Sequence, residues 1–306
     1  MTKKQVITLV LALAAITARA QDNNAQSLAF PFLRLDRSPA VSAMAGAGFS
    51  STTLSPEYAA FSNPAAAVFM DKTVAAGVSY RYWGPESLDE NHISAAFTVK
   101  PHERISVNGG YARGIQPAVD PENDSFRPND NNFSLGLAFL AAEGVSIGVN
   151  GHYAMQELVK GYRLQGFSAD AVLQYHMAGM NAAIGVMSVG PQVVSKSSGN
   201  KYDIPSSIKV AGDYTFNFEP CTLLLALDGD YYFKGMMAVS AGATLGIYDI
   251  LYLSAGGRYA GEGAPLPTHI AVGAGVKYGP AKLDLSYVTM NKIIGNSFMG
   301  GVSIAF

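Results

Sequence analysis

Thr268-His269-Ile270-Ala271-Val272-Gly273-Ala274-Gly275-Val276-Lys277-Tyr278 is the stretch that decides how this chain folds. Ile270, Val272, Ala274, Val276 and Tyr278 fall on one face of an extended segment. His269, Ala271, Gly273, Gly275 and Lys277 fall on the other. Successive side chains of a strand point to opposite sides, so one side is apolar and the other small or polar. The same period of two recurs on both flanks. Leu283, Leu285 and Tyr287 oppose Lys282, Asp284 and Ser286. Val145, Ile147, Val149 and Tyr153 oppose Ser146, Gly148, Asn150 and His152. Ile208, Val210 and Tyr214 oppose Lys209, Ala211 and Asp213.

Laid end to end from residue 71, the pattern gives about fourteen strands. They cover 72–83, 91–99, 103–113, 132–141, 144–155, 166–177, 180–190, 204–216, 220–233, 236–247, 250–260, 267–279, 280–290 and 296–306. Composition fits strands that face lipid. Of 306 residues, 49% are hydrophobic and 14% charged, where a soluble protein carries about 25% charged. No internal apolar run reaches the ~18 residues of a membrane helix. The predicted fold is all-β: a transmembrane up-and-down antiparallel barrel of about 14 strands, with an N-terminal plug-like segment containing a short helix.

The chain divides into three parts. Lys3 and Lys4 precede an apolar stretch at 6–16, and Ala18-Arg19-Ala20 supplies a cleavage pattern. Residues 1–20 are therefore expected to be a signal peptide, with Gln21 starting the mature chain. No Cys follows the apolar stretch, so no lipoprotein anchor is indicated. Residues 21–70 lack period two and form the plug or hatch. Ser55 and Pro56 suit a helix start there, and Asn63-Pro64 a helix stop. Residues 71–306 form the barrel, expected in the bacterial outer membrane with lipid around it.

Connection lengths orient the barrel. Lys100-Pro101-His102, Ala142-Glu143, Ala178-Gly179, Asn217-Phe218-Glu219, Tyr248-Asp249 and Gly279-Pro280 read as tight turns. Segments 114–131, 156–165, 191–203 and 261–266 read as longer polar loops, while Lys234-Gly235 is short. Short periplasmic turns and longer outer loops place both termini in the periplasm. Tyr80, Tyr82, Trp83, Tyr153, Tyr231, Phe233, Tyr259 and Tyr287 collect near outer strand ends. Tyr175, Tyr214, Phe216, Tyr248 and Tyr278 collect near inner ends, as interface girdles do. The last strand puts Phe298, Gly300, Val302, Ile304 and Phe306 on one face. Its terminal Phe306 is the expected signal to the barrel-assembly machinery.

No catalytic constellation emerges, so the chain reads as a non-enzyme. His92, His102, His152, His176 and His269 are scattered, and no phosphate-loop, G-x-S-x-G or H-E-x-x-H motif occurs. Neither a metal nor a cofactor is expected. Ala45-Gly46-Ala47-Gly48 lacks the strand and helix that a dinucleotide loop needs. Net charge is −2, which argues against a nucleic-acid partner. Cys221 is the sole cysteine and reads as a small apolar filler.

Alternation points Arg81, His152, Asp170, Lys209, Asp213, Asp228, Asp230, Arg258, Lys277, Lys282 and Asp284 inward. A Lys or Arg facing mid-bilayer lipid costs about 2–4 kcal/mol, which supports this inside assignment. Asp228 and Asp230 read either as paired acids or as lumen residues matched by nearby cations. Arg81, Asp213, Asp228, Asp230, Lys277 and Asp284 are the candidate lumen-lining residues. Gly46, Gly48, Asn63 and Pro64 are the candidate plug or hatch residues, Asn63-Pro64 being either a moving hatch or a fixed helix stop.

Phe30-Pro31-Phe32-Leu33, the Gly46-Ala47-Gly48 turn and Ala59-Ala60-Phe61-Ser62-Asn63-Pro64-Ala65 resemble the opening of PorV/PorQ-type outer-membrane proteins. So does the strand entry Ile204-Pro205-Ser206-Ser207-Ile208-Lys209-Val210-Ala211-Gly212-Asp213-Tyr214. That family lies within the FadL-like fourteen-stranded barrels. The resemblance implies a type IX secretion role, with translocon, sortase or cargo signal domains as partners. Ser38-Pro39-Ala40-Val41-Ser42 replaces the family's acidic run and leaves the PorV-like or PorQ-like branch open. Three functions stay in view: a secretion barrel that binds proteins, a FadL-like transporter of hydrophobic small molecules, and an outer-membrane enzyme. A plugged lumen with an apolar rim favours the first, and an apolar tunnel to a wall gap favours the second.

Overall fold

The computed structural model describes residues 28–84, 89–118, 126–196, 198–290 and 295–306. The expected signal peptide, residues 1–20, lies outside them. From residue 74 the chain runs β1 (Val74–Gly84), β2 (Glu90–His102), β3 (Ile105–Ile115), β4 (Asn129–Ala142), β5 (Val145–Val159) and β6 (Tyr162–Met177). Then come β7 (Met180–Val189), β8 (Val193–Val194), β9 (Lys201–Tyr202), β10 (Ser207–Phe218), β11 (Cys221–Tyr232) and β12 (Met237–Ile247). The chain ends with β13 (Leu251–Ala260), β14 (His269–Tyr278), β15 (Ala281–Thr289) and β16 (Asn296–Ala305).

Fourteen of these close into one antiparallel barrel, each strand beside its neighbours in sequence, with β7 joined to β10 and β16 to β1. The pair β8–β9 is a separate small hairpin within a loop. Ten residue pairs between β1 and β16 close the wall, and the last residue extends the ladder. Thr73 N and Val74 N both donate to the Phe306 carbonyl, and Phe306 N donates to Val74 O.

Alternation is written into burial. In β4, Leu135, Leu137 and Phe139 are exposed, while Gly136 and Ala138 between them are buried. The outward faces of the strands carry the exposed apolar side chains, and the inward faces carry the small and polar ones. Among the described residues, no helix is long and apolar enough to cross a membrane; the barrel strands have the ~9–11 residues a bilayer needs or more.

Three local expectations change. The turn predicted at Lys100-Pro101-His102 moves on to residues 103–104, because β2 continues through Pro101 across a register shift between Val99 and His102. Proline has no N–H to give a ladder, and a bulge is where it is tolerated. Residues 156–165, expected as a polar loop, are mostly strand: Gln156 pairs Leu164, and Glu157 pairs Arg163 with an ion pair of 3.1 Å. Past the bilayer the outward face no longer has to be apolar, so the period-two signal fades while the ladder persists. Trp83, grouped with the outer aromatics, turns inward and packs on an internal apolar cluster. Tyr80, Tyr82, Tyr231, Tyr259 and Tyr287 face outward at one end, and Tyr175, Tyr214, Phe216, Tyr248 and Tyr278 at the other.

Residues 28–70 lie inside. Short 3-10 turns at Pro31–Arg34, Pro56–Phe61 and Ala65–Phe69 and an α-turn at Pro39–Ala43 form a compact thread. Ser38 caps the α-turn, accepting from Val41 N, and Pro39 takes its first position. The expected side-chain cap from Ser55 is not made. The Asn63-Pro64 helix stop proves to be a junction between two 3-10 turns: Asn63 Oδ1 accepts from Ala65 N at 2.9 Å and Ala66 N at 3.2 Å, starting the second.

Candidate functional site: a plug threaded through the lumen

The thread enters at the long-loop end. Ala29 N donates to Asp203 O in the loop between β9 and β10. Phe30 packs over Gly166, near the loop end of β6. The thread leaves at the short-turn end, where Lys100 Nζ donates to Met70 O at 2.6 Å and Thr73 joins Phe306. The described start of the chain and its end therefore sit at opposite rims. An even strand count fixes only the two ends of the barrel, and Gln21, the expected start of the mature chain, lies outside the described residues.

Between the rims, wall side chains hold plug backbone. Arg34 enters from the plug side, giving Nε and Nη2 to Pro205 O at 3.0 and 2.7 Å and Nη2 to Ser207 Oγ at 2.7 Å. Arg81 Nη2 donates to Asp36 O, and Ser79 Oγ to Arg37 O, each at 2.7 Å. Asp228 accepts from Gly48 N and Phe49 N, both at 3.1 Å. Asp213 accepts from Ser50 Oγ at 2.5 Å and Asn181 Nδ2 at 2.8 Å. Asn63 Nδ2 donates to Phe49 O and to Gln174 Oε1, and Gln174 Nε2 donates to Ser50 O. Backbone amides and carbonyls buried inside a barrel need such partners, because unpaired ones cost ~1–3 kcal/mol each.

The expected lumen residues divide by depth. Arg81, Asp213, Asp228 and Asp230 are buried; the first three bond the plug, and Asp230 pairs with wall cations. Of the two readings of the Asp228/Asp230 pair, the cation-matched one holds: Lys209 Nζ stands 3.3 Å from each, and Arg258 Nη1 is 3.3 Å from Asp230. Asp284 pairs with Lys282 at 3.0 Å and reaches over Gly275. Lys277 sits at the short-turn end, half-exposed, bound to Asp249 at 2.6 Å. Its side chain serves a turn rather than the lumen. Gly46 and Gly48 both adopt positive φ, 82° and 104°, and turn the thread toward Asp228.

Sequence reasoning missed why so many inward residues are glycine. A Cβ at Gly256 would lie 2.3 Å from Met44 C and O, and one at Gly242 2.7 Å from Met44 Cβ. Gly273 leaves the space that Ala43 takes, and Gly148 the space of Ala65 N. The wall glycines form a socket for the plug. Their signal was present as a small inward face, but nothing in period two says what fills it.

Two further groupings emerge. Phe30, Phe32, Leu35, Ala154, Val193 and Ile204 make an apolar cluster at the long-loop end, behind the point where β6 and β7 slip register between Ala169 and Ala171. A Ser134 Oγ–His152 Nδ1 contact and a His152 Nε2–Asp170 Oδ2 contact, each 2.7 Å, link three strands. Asp170 spends its other oxygen on Ser188 N at the register slip, at 2.7 Å. A cavity between plug and wall does not reach these three residues, which brace the wall. That cavity is about 100 Å³, bounded by Leu33, Phe49 and Tyr58 and by the charged Lys209, Asp230 and Arg258. An apolar cavity of ~150 Å³ accommodates benzene; this one is smaller and polar on one side.

No protein-family model matches this chain, and no curated protein matches it. Solved structures do. The CymD monoaromatic hydrocarbon channel superposes with a TM-score of 0.63 at 11% identity, over 88% of this chain and 97% of that one. The chain shares the fold of these barrels. A Pseudomonas aeruginosa FadL homologue gives 0.62 at 11% identity, over 88% and 98%. The Ralstonia pickettii toluene transporter TbuX gives 0.59 at 11%, over 88% and 98%. The FadL-like part of the expected resemblance is thus met in fold. The narrower PorV/PorQ assignment finds no support among these relatives.

Proposed function

We propose that this protein is an outer-membrane channel for small hydrophobic molecules, held closed by residues 28–70. The observation that carries the reading is the plug. It fills a FadL-type barrel from rim to rim and is held mainly by hydrogen bonds from wall side chains to plug backbone, each worth only ~1 kcal/mol net. Such bonds can be exchanged one at a time as the plug shifts. The Phe30, Phe32, Val193 and Ile204 cluster then becomes an apolar recess open to the long-loop side. The short-turn rim with Phe306 is assigned to the periplasm, the plug's entry to the outside, and Phe306 to recognition by the barrel-assembly machinery. The test is toluene uptake into proteoliposomes: the intact barrel carries a slow flux that rises when residues 28–69 are deleted. Equal flux with and without the plug would contradict the reading.

A protein-binding role of the type IX kind is the second reading, favoured by one observation. The β5–β6 hairpin carries exposed Leu158, Val159 and Tyr162 at its tip, beyond the wall. Crosslinked recovery of translocon, sortase or cargo signal domains, lost in Leu158→Asp with Val159→Asp, would favour it over transport.

A further inference from the structure

Glu90 and His92 lie two residues apart on β2 and share its inward face. Across the wall, His92 pairs with Gly114 on β3, and Gly114 pairs with Asp130 on β4. The middle position has no side chain. A Cβ there would stand 2.3 Å from Asp130 Oδ2 and 2.7 Å from His92 Cε1. Gly114 thus leaves a hollow into which the outer two side chains reach. One ligand atom from each of Glu90, His92 and Asp130 lies within 4.8 Å of the others.

His92 and Asp130 are poorly satisfied by the protein. His92 is 2% exposed and Asp130 5%. Neither ring nitrogen of His92 makes a hydrogen bond of normal geometry, nor does Asp130 Oδ1. His92 Nε2 is 3.2 Å from Glu90 Oε1, close enough to count as a contact but not aligned as a hydrogen bond. The nearby cation is Arg37 of the plug, whose Nη2 is given to Phe32 O at 2.8 Å. Among the described ion pairs, none joins Arg37 to Glu90 or Asp130. A buried imidazole whose nitrogens lack an aligned hydrogen bond and a buried carboxylate oxygen without one cost free energy that a bound cation would return.

We propose that Glu90, His92 and Asp130 form a divalent transition-metal site at the long-loop end of the lumen, best matched to Zn2+. One imidazole nitrogen and two carboxylate oxygens are ligand types that Zn2+ accepts at about 2.0–2.2 Å, with a fourth position left to water. An all-oxygen cation such as Ca2+ or Mg2+ gains nothing from the imidazole. Bringing three atoms from within 4.8 Å to that geometry needs side-chain movement of about an ångström. Glu90, the most exposed of the three at 21%, opens the site to the rim. The metal would tie β2 to β4 across β3 beside the plug's Arg37.

The site is tested on the purified full-length barrel, stripped with chelator and titrated with Zn2+ in detergent, with heat-modifiable gel migration reporting the folded barrel. One Zn2+ per barrel is expected, weakened about tenfold or more in His92→Ala and Asp130→Ala. Gly114→Ala, which removes no ligand but fills the hollow, weakens binding as well. Arg37→Gln, which removes the competing charge, tightens it. Wild-type affinity unchanged in folded His92→Ala and Asp130→Ala would overturn the proposal, as would no uptake by the wild type. Should those variants fail to assemble, Co2+ loaded into the wild type decides: visible bands of mixed nitrogen and oxygen coordination support the site, and the spectrum of free Co2+ overturns it.

Discussion

Glu57 shows how one side chain can carry a condition for closure. It is buried in the plug against Gly77 of the wall, and burial raises its carboxyl to about 7 from an ordinary 4.5. Its charged neighbours are Lys282, which favours ionisation, and Asp284, which opposes it; the Tyr58 hydroxyl beside it has no hydrogen-bond partner. The docked plug therefore holds a proton that the released plug gives up between those values. Docking is strongest below about 4.5 and weakens as pH rises through about 7. Hydrogen exchange of plug amides from pH 5 to 8.5 should show faster opening at the alkaline end, with the trend abolished in Glu57→Gln. Asn63 is the second such residue, with bonds to Phe49 O, Gln174, Ala65 N and Ala66 N. Asn63→Ala leaves several buried groups unpaired at ~1–3 kcal/mol each, so limited proteolysis should cut residues 60–70 sooner. Unchanged proteolysis, secretion and uptake would end the idea that Asn63-Pro64 belongs to a moving hatch. Lys209→Met, which strips Asp228 and Asp230 of the cation they share, should lower barrel stability by about 3–5 kcal/mol in urea unfolding.

At the scale of elements, strands and plug were not equally legible. In β14, Ile270 and Val272 alternate with Ala271 and Gly273, and lipid outside the wall enforces that alternation at every step. The strands could therefore be read one by one. Past residue 155 the hairpin leaves the bilayer, the enforcement stops, and a strand looks like a loop. The plug obeys no period at all. Its shape is dictated by contacts far away in sequence, such as Gly48 with Asp228 and Ala43 with Gly273. For the same reason Lys277 was placed in the lumen by parity alone, although it serves Asp249 in a neighbouring turn. Likewise the scattered His92 gave no sign that Gly114 would bring Asp130 to it. The socket makes a prediction of its own. Gly256→Leu puts a side chain where Met44 lies and should expel the plug while the barrel still assembles. Single-channel conductance should rise from near zero to a stable open level. Gly229→Val, where a Cβ meets nothing nearer than 4.0 Å, should leave the channel closed.

For the whole molecule, a closed wall, an apolar exterior and a plug inside mean that, on the proposed reading, passage requires part of the barrel to move. The fold is shared with hydrocarbon channels at 11% identity, so the gate has to be argued from this chain's own residues. On the proposed reading, the plug's Arg34, Gly48, Ser50 and Asn63 form one side of it, and Asp228, Asp213, Gln174 and the wall glycines form the other. The most direct measurement of that claim is a plug that can be locked. Ser50→Cys with Asp213→Cys replaces a plug side chain and a wall side chain that already touch, Ser50 Oγ lying 2.5 Å from Asp213 Oδ2, in a Cys221→Ser background. Toluene uptake into proteoliposomes should stop on oxidation and return on reduction. Uptake that continues unchanged through the oxidised, crosslinked barrel would show that the plug is not the gate.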